Sequence, residues 1–178
     1  MTYNFKRHLE LLKHFRVFKN QKLGSSSDND QRELVQYEIM VELYLHWERR
    51  FMYLSMMKDY IDGLTSAAEF TDRFVGLRQI ELNECDAFLK KLESEEMEDY
   101  QIKKLEKLKK FDYQRGSKFR KLLTFIYLEC DEYVDIYEYE DDDYDADYDF
   151  TDEIEAFYES IKKCYSIANF LINSLSEE

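Results

Sequence analysis

The sequence contains no proline and only four glycines in 178 residues. These are the residues that break helices and shape tight turns, so a chain poor in both consists of long elements joined at few places. Cysteine is scarce too. Cys85, Cys130 and Cys164 are odd in number, widely spaced and without a CxxC pair or a nearby histidine. That pattern excludes a disulfide framework and a zinc site, and the expected location is the cytoplasm or another reducing interior compartment. No apolar run approaches the ~20 residues that span a bilayer; the longest mainly apolar one is Leu122 to Leu128. The first residues, MTYNFKRHLELLKHFRVFK, lack the uninterrupted apolar centre and small-residue cleavage site of a secretory signal; their basic amphipathic pattern leaves an organelle transit peptide open, while Glu10 and the lack of serine favour a plain first helix.

The most informative absence is of positive charge. No Lys or Arg occurs between Lys121 and Lys162, and within that gap Glu129 to Glu155 holds fifteen carboxylates. Residues 1–121 carry 23 basic and 21 acidic groups, residues 122–178 carry 2 and 18, so the net charge of −14 arises entirely in the last third. Such a region repels phosphate, which excludes nucleic acid and anionic membrane as its partner and points to a basic protein surface.

What the chain does contain is apolar enough to fold. Hydrophobic residues make up 44% and aromatic residues 16% of the sequence, above the range of disordered chains even at this net charge. The length suits one domain, residues 1–178. Apolar positions recur at steps of three and four. Phe5, Leu9, Leu12 and Phe15 mark a first helix, followed by a polar linker over 24–30. Val35, Ile39, Leu43, Trp47, Phe51, Leu54, Met57 and Ile61 predict one long helix ending at Gly63. Ser66 and Glu69 form a capping-box pattern that starts a third helix through Phe70, Phe74, Leu77 and Ile80, continuing to Cys85, Phe88 and Leu92 past a bend near Asn83. After an acidic break at 93–99, Ile102, Leu105, Leu108 and Phe111 mark a short helix, ended or kinked at Gly116. Phe119 to Tyr137 carry the next, and Ile154, Phe157, Ile161, Cys164, Ala168, Leu171 and Leu175 form the seam of the last. The predicted fold is all-α: an antiparallel helical bundle of five to six helices with an acidic loop, 139–149, before the last helix.

No enzyme motif is present, and no cofactor is expected. Asp145, Asp147 and Asp149 repeat the first ligands of a calcium loop, but Phe150 stands at the sharp-turn position and Ala156 at the bidentate one, so no dedicated metal site is expected. His8, His14 and His46 form no paired Glu-x-x-His turns; Glu42 and His46, one turn apart, are expected to be a surface or boundary pair. The lysine-rich segment from Lys103 to Lys121 is expected to pair with nearby acids, as Glu106 with Lys110, and not to bind nucleic acid. The candidate binding residues are Asp131, Glu132, Asp135, Glu138, Glu140, Asp141, Asp142, Asp143, Asp145, Asp147 and Asp149, with Tyr144 and Tyr148 as exposed aromatic anchors. Tyr133 and Tyr137 are expected to be packed, and the oligomeric state is left open.

The segment Tyr60-Ile-Asp-Gly-Leu-Thr-Ser-Ala-Ala-Glu-Phe-Thr-Asp-Arg-Phe74 resembles the helix-break-helix signature of the colicin D immunity-like family of small helical immunity proteins. Phe119 to Tyr133, the acidic connection and the helix from Thr151 are similar in layout to that family's closing helices, so the resemblance covers about half of the chain. It implies an inhibitor that blocks the basic, RNA-binding cleft of a toxic nuclease with an acidic surface. The rival expectation is a structural or assembly protein whose helical faces bind another protein while the acidic loop only solubilises.

Overall fold

The computed structural model describes residues 2–21, 28–94, 97–138 and 151–174, those at 16–21 and 134–138 through their backbone. Among them are seven helices and no strand: α1 (Phe5–Gln21), α2 (Asp28–Glu48), α3 (Arg50–Ile61), α4 (Ala67–Ser94), α5 (Asp99–Lys110), α6 (Tyr113–Glu138) and α7 (Thr151–Asn173). The all-α expectation holds; the count exceeds it by one because the long second helix is two. The chain turns at Arg49 (φ −96°, ψ 7°). Arg50 Nη1 donates to the Trp47 carbonyl at 2.8 Å, the acceptor that the Phe51 amide would use in a continuous helix. The guanidinium also lies 4.9 Å from the Trp47 ring and 4.4 Å from the Phe51 ring.

Contacts divide the chain into two compact units, residues 1–45 with 81–113 and residues 46–80 with 114–178. The first is built from α1, most of α2, the second half of α4 and α5. Its core includes Leu11, Tyr37, Val41, Tyr44, Phe88, Leu92, Leu105 and Leu108. The expected α2 stripe is met in part: Leu43 is buried, while at its start Leu34 is buried and Val35 exposed, because α2 is apolar on more than one side and several stripes fit its spacing. Arg7 joins α1 to α2, its Nη2 donating to Asp30 at 2.6 Å and to Glu33 at 2.7 Å. Asp28 and Asp30 belong to the first turn of α2 and not to the preceding linker, where the helix dipole favours acids.

The second unit is built from α3, the first half of α4, α6 and α7. Its core includes Tyr53, Met57, Tyr60, Phe70, Phe74, Phe119, Ile126, Tyr133, Phe157, Ile161 and Ala168. Gly63 ends α3 at φ +72°, a left-handed conformation that costs other residues ~1–2 kcal/mol. The Ser66–Glu69 box forms as expected: the Ser66 amide donates to Glu69 Oε2 at 2.9 Å, and the Glu69 amide to Ser66 Oγ at 3.2 Å. Gly76 lies inside α4 and Gly116 inside α6, so neither marks a break; the turn expected at Gly116 falls at Phe111 and Asp112. Of the expected α7 seam, Phe157, Ile161, Cys164 and Ala168 are buried while Ile154 is exposed. No helix among the described residues is long and apolar enough to cross a membrane.

Candidate partner-binding surface

Aromatic packing joins the helix segments on either side of residues 139–150. Near the end of α6, Tyr133 is buried and stacks on Phe157 of α7, ring centroids 4.9 Å apart and planes 24° from parallel. Phe157 also meets Tyr60 of α3 at 5.6 Å and Phe70 of α4 at 6.1 Å. Burying rings of this size supplies ~1.5–3 kcal/mol each, which ties together the two helix segments on which Asp131, Glu132, Asp152 and Glu155 stand. Burial also pushes the Tyr60 hydroxyl up to about 12, so it remains a neutral donor. Tyr158, beside it, donates to the Ile61 carbonyl at 3.4 Å.

Cys130 and Tyr133 turn inward, and the helical step between them sets Asp131 and Glu132 on the solvent side of α6. On α7, Phe157 turns inward while Asp152 and Glu155 are exposed. Among the described residues no Lys or Arg pairs with these four carboxylates. Further along α7, Lys162 pairs with Glu159 at 2.8 Å. The surface therefore presents uncompensated negative charge on rigid elements. Asp152 has a structural role as well, because it sits in the first turn of α7, where the helix dipole favours a carboxylate.

Of the sequence-derived candidates, Asp131 and Glu132 are exposed on α6, and Asp135 and Glu138 belong to the last turns of that helix. Glu140, Asp141, Asp142, Asp143, Tyr144, Asp145, Asp147, Tyr148 and Asp149 lie outside the described residues, as do the calcium-like spacing and the expected loop. Tyr133 is packed, as expected. Asp152 and Glu155 were missed as candidates; their position just after the acidic stretch, at the start of the final seam, was the signal available.

No family model, curated protein or solved structure matches this chain. Chemical reading therefore rests on its own side chains. Among the described residues no group of three or more His, Cys, Asp or Glu is placed to hold a metal ion. His46 is not the surface or boundary residue that its spacing with Glu42 suggested. It is buried, and Arg78 Nη1 lies 2.6 Å from its Nε2, so the guanidinium donates to the ring. His8 is buried between Tyr3 and Tyr37: the Tyr3 hydroxyl is 2.9 Å from Nδ1, and the His8 ring stacks on Tyr37 at 5.2 Å. Burial pushes the His8 imidazole down to about 4. Glu106 and Lys110, expected to pair on α5, are both exposed and form no ion pair with each other among the described residues.

Proposed function

We propose that this chain acts by binding, as an immunity-type inhibitor that covers the basic cleft of a toxin nuclease with the acidic end of its α6–α7 pair. The observation that carries the reading is the set of exposed carboxylates Asp131, Glu132, Asp152 and Glu155, standing without a cationic partner among the described residues on helices locked together by Tyr133 and Phe157. Carboxylates on a rigid base imitate a phosphate backbone, speed association with a cationic protein and reject anionic competitors. Fixing them beforehand removes part of the ordering cost of binding. The resemblance of the Tyr60–Phe74 segment to the colicin D immunity-like family supplies the choice of a nuclease as partner.

The test is capture from the native host on the immobilised full chain, followed by stopped-flow association of the captured protein. The reading expects a basic nuclease, inhibited on binding, whose association slows as salt rises. Asp141→Asn, Asp142→Asn and Asp143→Asn together should slow association and flatten that salt dependence. Association that is equal in both chains at every salt concentration, or a captured protein without nuclease activity, sinks it. Deleting residues 140–149 separates the assembly-protein reading, under which capture survives the deletion.

A further inference from the structure

Beside the acidic surface, the α6–α7 pair also carries an island of the opposite sign. Lys118 and Lys121 of α6 and Lys163 of α7 rim a groove of about 450 Å³. Leu122, Phe125 and Ile167 are among the apolar side chains lining it. The two helices run antiparallel there, because the start of α6 faces the end of α7 while Tyr133 meets Phe157 near the opposite ends. Phe125 is 45% exposed and Ile167 43%. One turn further along each helix, Leu128 is 54% exposed and Phe170 71%. Exposed apolar side chains thus stand on both walls of the groove, with a further one a turn away on each helix.

We propose that this groove docks an acidic amphipathic helix of another protein. Length supports a helix: from Lys118 to Phe125 the groove's α6 wall rises ~10.5 Å, about two turns, which suits anchors at i, i+3 or i+4, and i+7. Charge supports acidity. In a chain with 39 Asp and Glu, the exposed Lys118, Lys121 and Lys163 form no ion pair among the described residues. They stand on both walls, so the complementary ligand carries several carboxylates flanking an apolar stripe, whereas a fatty acid offers one.

The probe is a fluorescein-labelled synthetic helix of about five turns with Leu on one stripe and Glu on its flanks, titrated with the full chain beside a counterpart bearing Lys for Glu. The Glu peptide should bind saturably and weaken with salt, and the Lys peptide at least about tenfold less tightly. Lys118→Glu, Lys121→Glu and Lys163→Glu together should weaken the Glu peptide about tenfold or more, as should Phe125→Ser with Ile167→Ser. All five positions are exposed, so thermal melts should match wild type; the Lys→Gln triple, with an intermediate effect, confirms that charge and not folding is read.

Four results overturn the assignment: no saturable binding, equal binding of both peptides, stoichiometric displacement of the Glu peptide by oleate, or a dimer in sedimentation that Phe125→Ser with Ile167→Ser abolishes. Binding should be unchanged by the Asp141, Asp142 and Asp143 substitutions, so this inference and the proposed inhibitor role fail separately.

Discussion

Tyr133 and Phe157 stack face to face across the two helices that the acidic connection joins, 4.9 Å between ring centroids. Each lies six or fewer residues from the end of its helix that faces the connection. One aromatic pair therefore ties together the two helix ends that flank residues 139–150. Phe157→Ala should cost ~3–5 kcal/mol in urea unfolding through lost burial and the cavity left behind. A loss below ~1 kcal/mol would show that the ring is not packed as described.

His8 gives the first unit a specific response to acid. Its imidazole is held neutral by burial at about 4, against an ordinary ~6.5. The neutral ring contributes fully above ~6.5, and the contribution is lost as pH falls from there towards 4, where the unfolded chain is protonated and the folded one is not. Between pH 6.5 and 5 this amounts to about 2 kcal/mol. The difference in stability between wild type and His8→Phe, measured by denaturant unfolding across that window, should shrink by this amount on acidification. A difference constant with pH would count against a buried neutral His8.

The three cysteines are free. Burial pushes Cys85 and Cys130 up to about 12 and Cys164 up to about 11, with acidic neighbours adding to each. Since the thiolate is the reactive form, native protein at pH 8 should react with a disulfide reagent at least about a hundredfold more slowly than an unfolded thiol. All three should titrate at once in denaturant. A rapid native phase of one equivalent would refute this for Cys85, the least buried of them.

Two glycines should respond oppositely to the same substitution. Gly63 holds φ +72°, and Gly76 lies inside α4 with nothing within 4 Å of an added Cβ. Gly63→Ala should destabilise by ~1–2 kcal/mol through backbone strain. Gly76→Ala should stabilise by ~0.5–1 kcal/mol, because alanine loses less backbone freedom in a helix. Thermal melts of the two variants moving in the same direction would contradict the assignment of one turn and one helix interior.

The all-helical class was legible because absent proline and three-four periodicity both concern local chain geometry. The Ser66–Glu69 cap, the Gly63 turn and most of the α7 seam were legible for the same reason. The break at Arg49 was not, since it follows from one side chain, Arg50, occupying the Trp47 carbonyl while lying over two rings. Nor was the burial of His8 and His46, which depends on Tyr3, Tyr37 and Arg78 arriving from elsewhere in the chain. Exposure of Asp131 and Glu132 followed from their register against Cys130 and Tyr133. The lysine-rimmed groove did not, because its walls lie more than forty residues apart in sequence and only antiparallel packing of α6 on α7 brings them together.

The division of the chain into interleaved segments has a consequence for synthesis. Every residue of the first unit has left the ribosome once Tyr113 has emerged, whereas the second unit needs residues 114–178 as well as 46–80. Tyr53, Met57, Phe70 and Phe74 are made early, but Phe119, Ile126, Phe157 and Ile161, which complete their core, arrive last. For that interval the nascent chain displays half of an apolar core, the window in which chaperone binding or aggregation competes with folding.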